Sequence, residues 1–122
     1  FLVLAAPETP GTRGILDRAA LARMRPSAVL VNLSRGALVE TDALLDALKG
    51  GGLRGAGLDV FQEEPLPSDH PLWRLPNVLV TPHVSAVSRG FWRRQTDLIV
   101  ENLGRYLAGR PLLNLVDKQA GF

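Results

Sequence analysis

A chain of 122 residues, 46% of them hydrophobic and 21% charged, is long enough for one domain or part of a larger one, and this composition excludes a disordered protein. The formal charge of +2 and the scattered basic residues exclude the broad basic stripe of a nucleic-acid-binding protein. The absence of cysteine excludes disulfides, thiolate catalysis and cysteine-based zinc sites, and no apolar run approaches the roughly 20 residues of a membrane-spanning helix.

The first part of the chain predicts a strand, a helix and a second strand. The apolar run over 1–6 predicts a strand, and a loop rich in proline and glycine follows it. Asp17 is predicted to N-cap a short helix that stops before Pro26. The apolar run over 28–33 predicts the second strand.

A second helix and a third strand come next. Thr41 is predicted to N-cap a helix with leucines at helical spacing, and the glycines at 50–52 end it. Residues 55–60 predict the third strand. The glycines follow a helix and precede a strand, whereas a phosphate-binding loop runs from a strand into a helix. They therefore indicate a helix end and a linker, and no G-x-G-x-x-G run occurs in the chain.

The last part of the chain contains a long loop, a strand over 78–81 and the longest helix, from Ser85 or Ser88 to Ala108. Strands that are short and continuously apolar, and that alternate with helices, are typical of a parallel sheet covered by helices on both faces. The sequence therefore predicts an α/β fold.

Four polar residues lie at or beyond the predicted carboxyl ends of three strands, where ligands bind in open parallel sheets. Arg35 follows the second strand by two residues, and Asp59 is in the last two residues of the third. Glu64 lies four residues beyond the third strand, and His83 follows the fourth by two. Parallel strands would bring all four to one edge of the sheet.

Each of the four also has a purely structural alternative. Arg35 could pair with a carboxylate such as Glu40. Asp59 could cap a loop turn, and Glu64 could be solvated. His83 could be a turn histidine satisfied by backbone groups.

Metal binding is not expected. His70 lies inside a loop far from any strand end, which favours a structural role for it. It is also far from His83 in sequence, and neither has a second ligand at the short spacings that zinc sites use.

Together, these side-chain types suit the reduction of an acid that carries an adjacent carbonyl. A histidine beside a carboxylate forms an acid–base pair, since the carboxylate stabilises the imidazolium. An arginine can grip a substrate carboxylate with two hydrogen bonds and polarise the neighbouring carbonyl. The histidine would then donate a proton as a hydride arrives.

Four stretches resemble the motifs of the D-isomer-specific 2-hydroxyacid dehydrogenase family: PETPGTRGIL, LVNLSRGALVETDAL, GAGLDVFQEEPLP and HPLWRLPNVLVTPHVSA. The family patterns that they resemble are P-x-T-x-x-T-x-x-x-[IL], N-x-x-R-G-x-x-V-[DE], G-x-x-L-D-V-F-x-x-E-P-L and a stretch ending in T-P-H. Within the family, TPHVSAVS and NLVDKQAGF look closest to the glyoxylate/hydroxypyruvate reductase A branch.

The resemblance implies roles for individual residues. Arg35 would be the substrate and catalytic arginine, Glu64 the carboxylate partner, and His83 the acid–base residue. Glu63 does not fit, because the family glutamate directly precedes the proline. Asp59 would bind the nicotinamide carboxamide. The residues implied to contact the cofactor are Pro7, Thr12, Leu33, Ser34, Arg35, Asp59, His83, Val84, Ser85 and Ala86.

The resemblance further implies the C-terminal half of a Rossmann-type parallel sheet with flanking helices, plus a long C-terminal helix. Residues 1–84 would be half of the dinucleotide-binding domain, and 85–122 a helix and tail returning toward a substrate domain. The family's G-x-G-x-x-G half and most of that substrate domain have no counterpart here, so we expect a fragment that is inactive alone. One family histidine is also absent, since Ala5 and Ala6 stand where many members have L-H-x-P.

The implied function is hydride transfer between NAD(P)H and a small 2-oxoacid such as glyoxylate or hydroxypyruvate, with NADP favoured by the branch. The full-length parent would be a cytoplasmic homodimer that binds neither nucleic acid nor membrane. The alternative is a non-catalytic dinucleotide-sensing module of the corepressor type, which shares the fold.

Overall fold

The structure is a computed structural model, and it describes residues 1–121. Phe122, the last residue of the predicted C-terminal tail, lies outside the described residues. The backbone forms two compact units, Phe1–Ser85 and a second that begins at Ala86.

The first unit contains a sheet of four parallel strands in the order of the chain: β1 (Leu2–Leu4), β2 (Val29–Asn32), β3 (Gly55–Leu58) and β4 (Val78–Val80). The predicted parallel α/β sheet is therefore confirmed. The register pairs Leu4 with Asn32, Asn32 with Leu58, and Leu58 with Val80. Because these are the last residues of their strands, all four strands end in one row and the loops that follow leave from the same edge.

Two α-helices belong to the first unit, α1 (Arg18–Ala22) and α2 (Thr41–Lys49). Short 3₁₀ turns cover Gly36–Leu38 and Pro71–Arg74. The predicted cap of α1 is confirmed, since the Asp17 side chain accepts a hydrogen bond from the Ala20 N–H at 2.7 Å.

The predicted cap of α2 is wrong, because Thr41 is its first helical residue and Glu40 is the N-cap. The Glu40 carboxylate makes no cap hydrogen bond and instead accepts the Arg18 N–H at 3.0 Å. The Glu40 N–H donates to the Leu16 carbonyl at 3.1 Å, so the segment before α2 is fixed against the segment before α1. This tertiary contact overrides the local capping preference of threonine.

The core lies on one face of the sheet. Leu30 and Leu58 point into it from the strands, and α2 contributes Leu44 and Leu48, all 4% exposed or less. Strands that follow one another in one direction place right-handed crossover helices on a single side, which explains why α1 and α2 contact each other.

The face of this sheet opposite the core carries exposed apolar side chains, because both α-helices of the first unit pack on the core side. Val3 is 54% exposed and Leu79 is 69% exposed, and both lie mid-strand on the face that points away from the core. The connection from β3 to β4 holds only a 3₁₀ turn, so it adds no α-helix to cover them.

The second unit is built on α3 (Phe91–Leu107). Its start was predicted at Ser85 or Ser88, but Gly90 is left-handed, with φ 77°, and delays the helix to Phe91. The tail folds back on α3, since Asn102 exchanges two hydrogen bonds with the backbone of Leu113, at 2.8 and 3.2 Å. None of the helices within residues 1–121 is long and apolar enough to cross a membrane.

We predict that the 122-residue chain self-associates through the face opposite the core, because soluble monomers rarely expose contiguous apolar surface of this kind. Leu79→Lys should shift the sedimentation-velocity distribution toward the monomer by placing a charge on that face, in the edge strand β4. Ile15→Lys is the matched control, since Ile15 is also exposed (54%) but lies in a loop. A wild-type chain that sediments as a monomer at all concentrations would contradict the prediction.

Candidate active site

The row of strand ends brings three of the predicted site residues to one cavity. Arg35, Glu64 and His83 all line a polar cavity of about 820 Å³ beyond the carboxyl edge of the sheet. Arg35 lies in the loop after β2, Glu64 in the loop after β3, and His83 in the loop after β4. The fourth residue, Asp59, is buried and does not line this cavity.

Glu64 and His83 form a hydrogen-bonded pair. His83 Nδ1 lies 2.8 Å from Glu64 Oε2, and both side chains are partly exposed. The second carboxylate oxygen, Oε1, accepts the Phe61 N–H at 2.9 Å, which fixes the plane of the carboxylate. With Nδ1 bound to Glu64, Nε2 is the ring nitrogen left to exchange a proton with a ligand.

This pair keeps Glu64 ionised. The hydrogen bond to His83 lowers the pKa of the Glu64 carboxyl, and this effect outweighs its partial burial. The Phe61 N–H and the positive charges of His83 and Arg35 lower the Glu64 pKa further. Glu64 is therefore partly solvated, as its structural alternative expected, but it also has a specific partner in His83.

Arg35 is held by its backbone rather than by a carboxylate. Its Nη1 donates to the Ser34 carbonyl at 2.7 Å, and no salt bridge to Arg35 is found within residues 1–121. The alternative pairing with Glu40 is not seen, because Glu40 binds the Arg18 N–H. The guanidinium therefore keeps donors for an anion in the cavity.

The backbone around Arg35 is anchored by Asn32, which sequence reasoning missed. Asn32 is 1% exposed; its Nδ2 donates to the Arg35 carbonyl at 2.9 Å. Its Oδ1 accepts both the N–H and the hydroxyl of Ser34, each at 3.1 Å. The available signal was a single amide side chain at the end of an otherwise apolar strand.

Gly36 was also missed as a site residue, and here close approach explains the glycine. A Cβ at this position would lie 1.9 Å from the carbonyl carbon of Phe61 and 2.4 Å from the Gln62 nitrogen. The loop after β2 and the loop after β3 therefore touch backbone to backbone, three residues before Glu64. No local sequence pattern predicts this contact, since it joins segments far apart in the chain.

Asp59 has the role foreseen as its structural alternative, that of capping a turn. It is 1% exposed and accepts from the Thr81 hydroxyl, from the Val84 N–H at 3.0 Å and from the Ser85 N–H at 2.8 Å. Burial by itself would raise the Asp59 pKa. The hydrogen bonds from these three donors outweigh burial and hold the pKa well below its usual range.

Of the other residues expected to contact a cofactor, Thr12, Leu33 and Val84 lie in loops that leave the same edge of the sheet. Thr12 donates to the Pro7 carbonyl at 2.7 Å in the loop after β1. Leu33 and Val84 follow β2 and β4 and are 46% and 43% exposed. Ala86 is the first residue of the second unit. Their contacts with a cofactor stay a prediction.

His70 has a structural role, as its position in a loop indicated. Its Nδ1 accepts the Leu72 N–H at 3.2 Å and caps the 3₁₀ turn Pro71–Arg74. The part of the chain that the structure describes contains no group of three histidine or carboxylate side chains that could hold a metal ion.

Residues 1–85 match the model of the family described as "D-isomer specific 2-hydroxyacid dehydrogenase, NAD binding domain". The chain is 44% identical over 119 residues to glyoxylate/hydroxypyruvate reductase B of Pectobacterium carotovorum, covering 98% of this chain and 37% of that protein. It is 42% identical over 122 residues to glyoxylate/hydroxypyruvate reductase A of Serratia proteamaculans, covering 100% and 38%. Relatives of both the A and the B type therefore match at similar identity.

Two solved structures give the same picture. The NADPH-dependent glyoxylate/hydroxypyruvate reductase of Sinorhizobium meliloti, in complex with NADP and sulfate, superposes with a TM-score of 0.91 at 39% identity, covering 99% of this chain and 39% of that one. A D-isomer specific 2-hydroxyacid dehydrogenase of Xanthobacter autotrophicus, in complex with NADPH and MES, gives 0.89 at 43% identity, covering 98% and 49%. The chain thus spans about two fifths of the length of the curated relatives described above.

We predict that Gly36→Ala separates the loop of Arg35 from the loop of Glu64 and costs about 1–3 kcal/mol of unfolding free energy, as for overpacking. Gly57→Ala is the matched control, because a Cβ there meets only Val31 Cγ2 at 4.0 Å. Urea unfolding of the two variants should give a clearly lower midpoint for Gly36→Ala. Equal midpoints would contradict the close approach.

Proposed function

The chain belongs to the D-isomer specific 2-hydroxyacid dehydrogenases, and we propose that it supplies the acid–base pair and the substrate arginine of a reductase that acts on small 2-oxoacids. One observation carries the proposal: Arg35, Glu64 and His83 line one cavity, and His83 Nδ1 lies 2.8 Å from a Glu64 oxygen. The names of the relatives point to glyoxylate and hydroxypyruvate as the substrates.

Arg35 would bind the substrate. Its planar guanidinium matches a carboxylate with two parallel hydrogen bonds, and its charge also polarises a carbonyl next to that carboxylate. Since Arg35 carries no salt bridge among the described residues, a substrate carboxylate would not have to displace a carboxylate of the protein.

His83 would provide the proton. The imidazolium would donate a proton from Nε2 to the carbonyl oxygen of the 2-oxoacid, and this oxygen becomes the hydroxyl of the 2-hydroxy acid when the carbonyl carbon receives a hydride. Glu64 orients the ring through Nδ1, stabilises the imidazolium before transfer, and remains ionised because its pKa is lowered by that same contact. The pair can then take a proton from solvent for the next turnover.

A nicotinamide dinucleotide fits the residues at this edge. Leu33 and Val84 present exposed apolar side chains just after β2 and β4, which suits an aromatic ring such as nicotinamide, and the loop of Pro7 and Thr12 follows β1. When bound, the dinucleotide supplies the hydride. The relatives solved with NADPH and NADP favour NADPH over NADH for this chain.

For the whole protein we propose a cytoplasmic homodimer with a small 2-oxoacid as its substrate and with no nucleic-acid partner. In it, residues 1–84 would form half of the dinucleotide-binding domain, and 85–122 would return toward a substrate domain. The scattered arginines support the absence of a nucleic-acid surface.

In the full-length protein, Arg35→Lys should chiefly raise KM for the 2-oxoacid, because a lysine cannot grip a carboxylate bidentately. His83→Gln should lower kcat by roughly two to four orders of magnitude, the usual contribution of a general acid–base residue. Steady-state oxidation of NADPH with glyoxylate and hydroxypyruvate measures both. His70→Gln is the matched control and should retain the wild-type kcat.

A His83→Gln enzyme with undiminished kcat would overturn the proton-donor assignment. A wild-type protein that binds the dinucleotide but turns over neither 2-oxoacid would instead favour a non-catalytic dinucleotide-sensing module.

In the full-length protein, Glu64→Gln should move the pH profile of reduction to lower pH, because the imidazolium loses the negative charge that stabilises it. Glu64 also makes the stability of the protein depend on pH. Since folding lowers the Glu64 pKa, this contribution is complete above the ordinary glutamate pKa, and it is lost as the pH falls through the folded value. The acid limb of the unfolding curve should therefore be shallower in the variant.

The matched control is Glu63→Gln, an exposed neighbour without a place in the pair. Unchanged pH–rate profiles for Glu64→Gln would remove Glu64 from the mechanism.

A further inference from the structure

Asp59 is the one charged side chain that is fully buried among residues 1–121. Its Oδ1 accepts two hydrogen bonds, from the Thr81 hydroxyl and the Val84 N–H, and its Oδ2 accepts the Ser85 N–H. Burying an isolated carboxylate costs a large desolvation free energy. Asp59 can therefore stay buried only because these three donors bind it. The carboxylate is therefore built into the turn that follows β4.

The three donors lie on both sides of His83. Thr81 comes two residues before it, and Val84 and Ser85 are the next two residues. His83 itself has a left-handed backbone, with φ 55°, a conformation that residues with a side chain rarely adopt. Such a backbone persists only when its surroundings over-determine it. Asp59 is the group that binds the turn on both sides of this residue.

We propose that Asp59 is a positioning residue for His83, and that it holds the imidazole against Glu64 by clamping the turn over residues 81–85. The left-handed backbone directs the ring of His83 to Glu64, at 2.8 Å, and exposes it to the cavity of Arg35. The proposal rests on the proposed function only for its kinetic consequence, since the clamp itself is a property of this chain.

The clamp differs from the role that the family resemblance implies, direct contact with the nicotinamide carboxamide. Three of the acceptor positions of the Asp59 carboxylate are already occupied by protein donors. The same hydrogen bonds use the N–H groups of Val84 and Ser85, so neither N–H remains for the cofactor. Asp59 acts on the reaction through the turn, and its effect should be seen at His83.

The hydrogen-bond pattern requires an anion. Because the bonds from Thr81, Val84 and Ser85 outweigh burial, the Asp59 pKa lies well below its usual range and the group stays ionised. An asparagine of the same shape could accept from Val84 through Oδ1. Its amide hydrogens would then face the Ser85 N–H, and the hydrogen bond from Ser85 would be lost.

The test exploits the two histidines of the chain, which give two sets of imidazole signals. In ¹H–¹⁵N correlation spectra of the 122-residue chain, Asp59→Asn should change the His83 pattern to that of a ring exchanging between tautomers. His70 is the internal reference and should not move, because it binds Leu72 in another loop. Asp69→Asn, which removes an exposed carboxylate, is the control variant.

Thr81→Val removes one donor while it preserves shape, and it should change the His83 pattern in the same direction but less. If Asp59→Asn does not fold, Thr81→Val decides the question by the same readout. A His83 pattern identical to wild type in the folded variants would overturn the proposal.

In the full-length protein, Asp59→Asn should lower kcat by roughly 10²-fold, as for a displaced catalytic group, with little change in the KM for NADPH. A rise confined to the KM for NADPH, with the His83 spectrum unmoved, would overturn the clamp in favour of direct cofactor contact. A wild-type protein without reductase activity whose His83 signals still respond to Asp59→Asn would refute the proposed function and support the clamp.

Discussion

The four parallel strands end at the same position of the sheet register, and the site depends on this constraint. Leu4, Asn32, Leu58 and Val80 occupy one row of the sheet, so every loop that follows starts from the same line. A strand that is one residue out of register would turn its side chains to the other face and shift its loop along the edge. The hydrophobic core enforces this register, because only one choice buries Leu30 and Leu58 together.

Two buried polar side chains hold the loops that follow these strand ends in place. Asn32 ends β2 and binds the backbone of Ser34 and Arg35, and Asp59 follows β3 and binds the turn around His83. Leaving either group without its partners would cost about 1–3 kcal/mol, and more for the charge. The loops therefore cannot move away from these anchors cheaply, although their other side chains are exposed.

Sequence reasoning reached the fold and the convergence of the candidate site residues at one edge because both follow from short-range patterns. Apolar runs and turn residues predict strands and helices, and parallel order then places Arg35 and His83 at one edge. What it missed depends on contacts between distant segments. Glu40 replaces Thr41 as the helix cap because of Arg18, and Gly36 is required by the backbone of Phe61. Neither contact leaves a periodic signal in the sequence.

The exposure of the Glu64–His83 pair explains why such anchors are needed. An ion pair between partly exposed side chains contributes only about 0–1 kcal/mol, which is too little to hold two loops together. The pair is therefore a consequence of the loop positions rather than their cause. The backbone contact at Gly36 fixes the loop that leads to Glu64, and the buried hydrogen bonds of Asp59 fix the turn of His83. The geometry of the pair is therefore set by these anchors and not by the attraction between the two side chains.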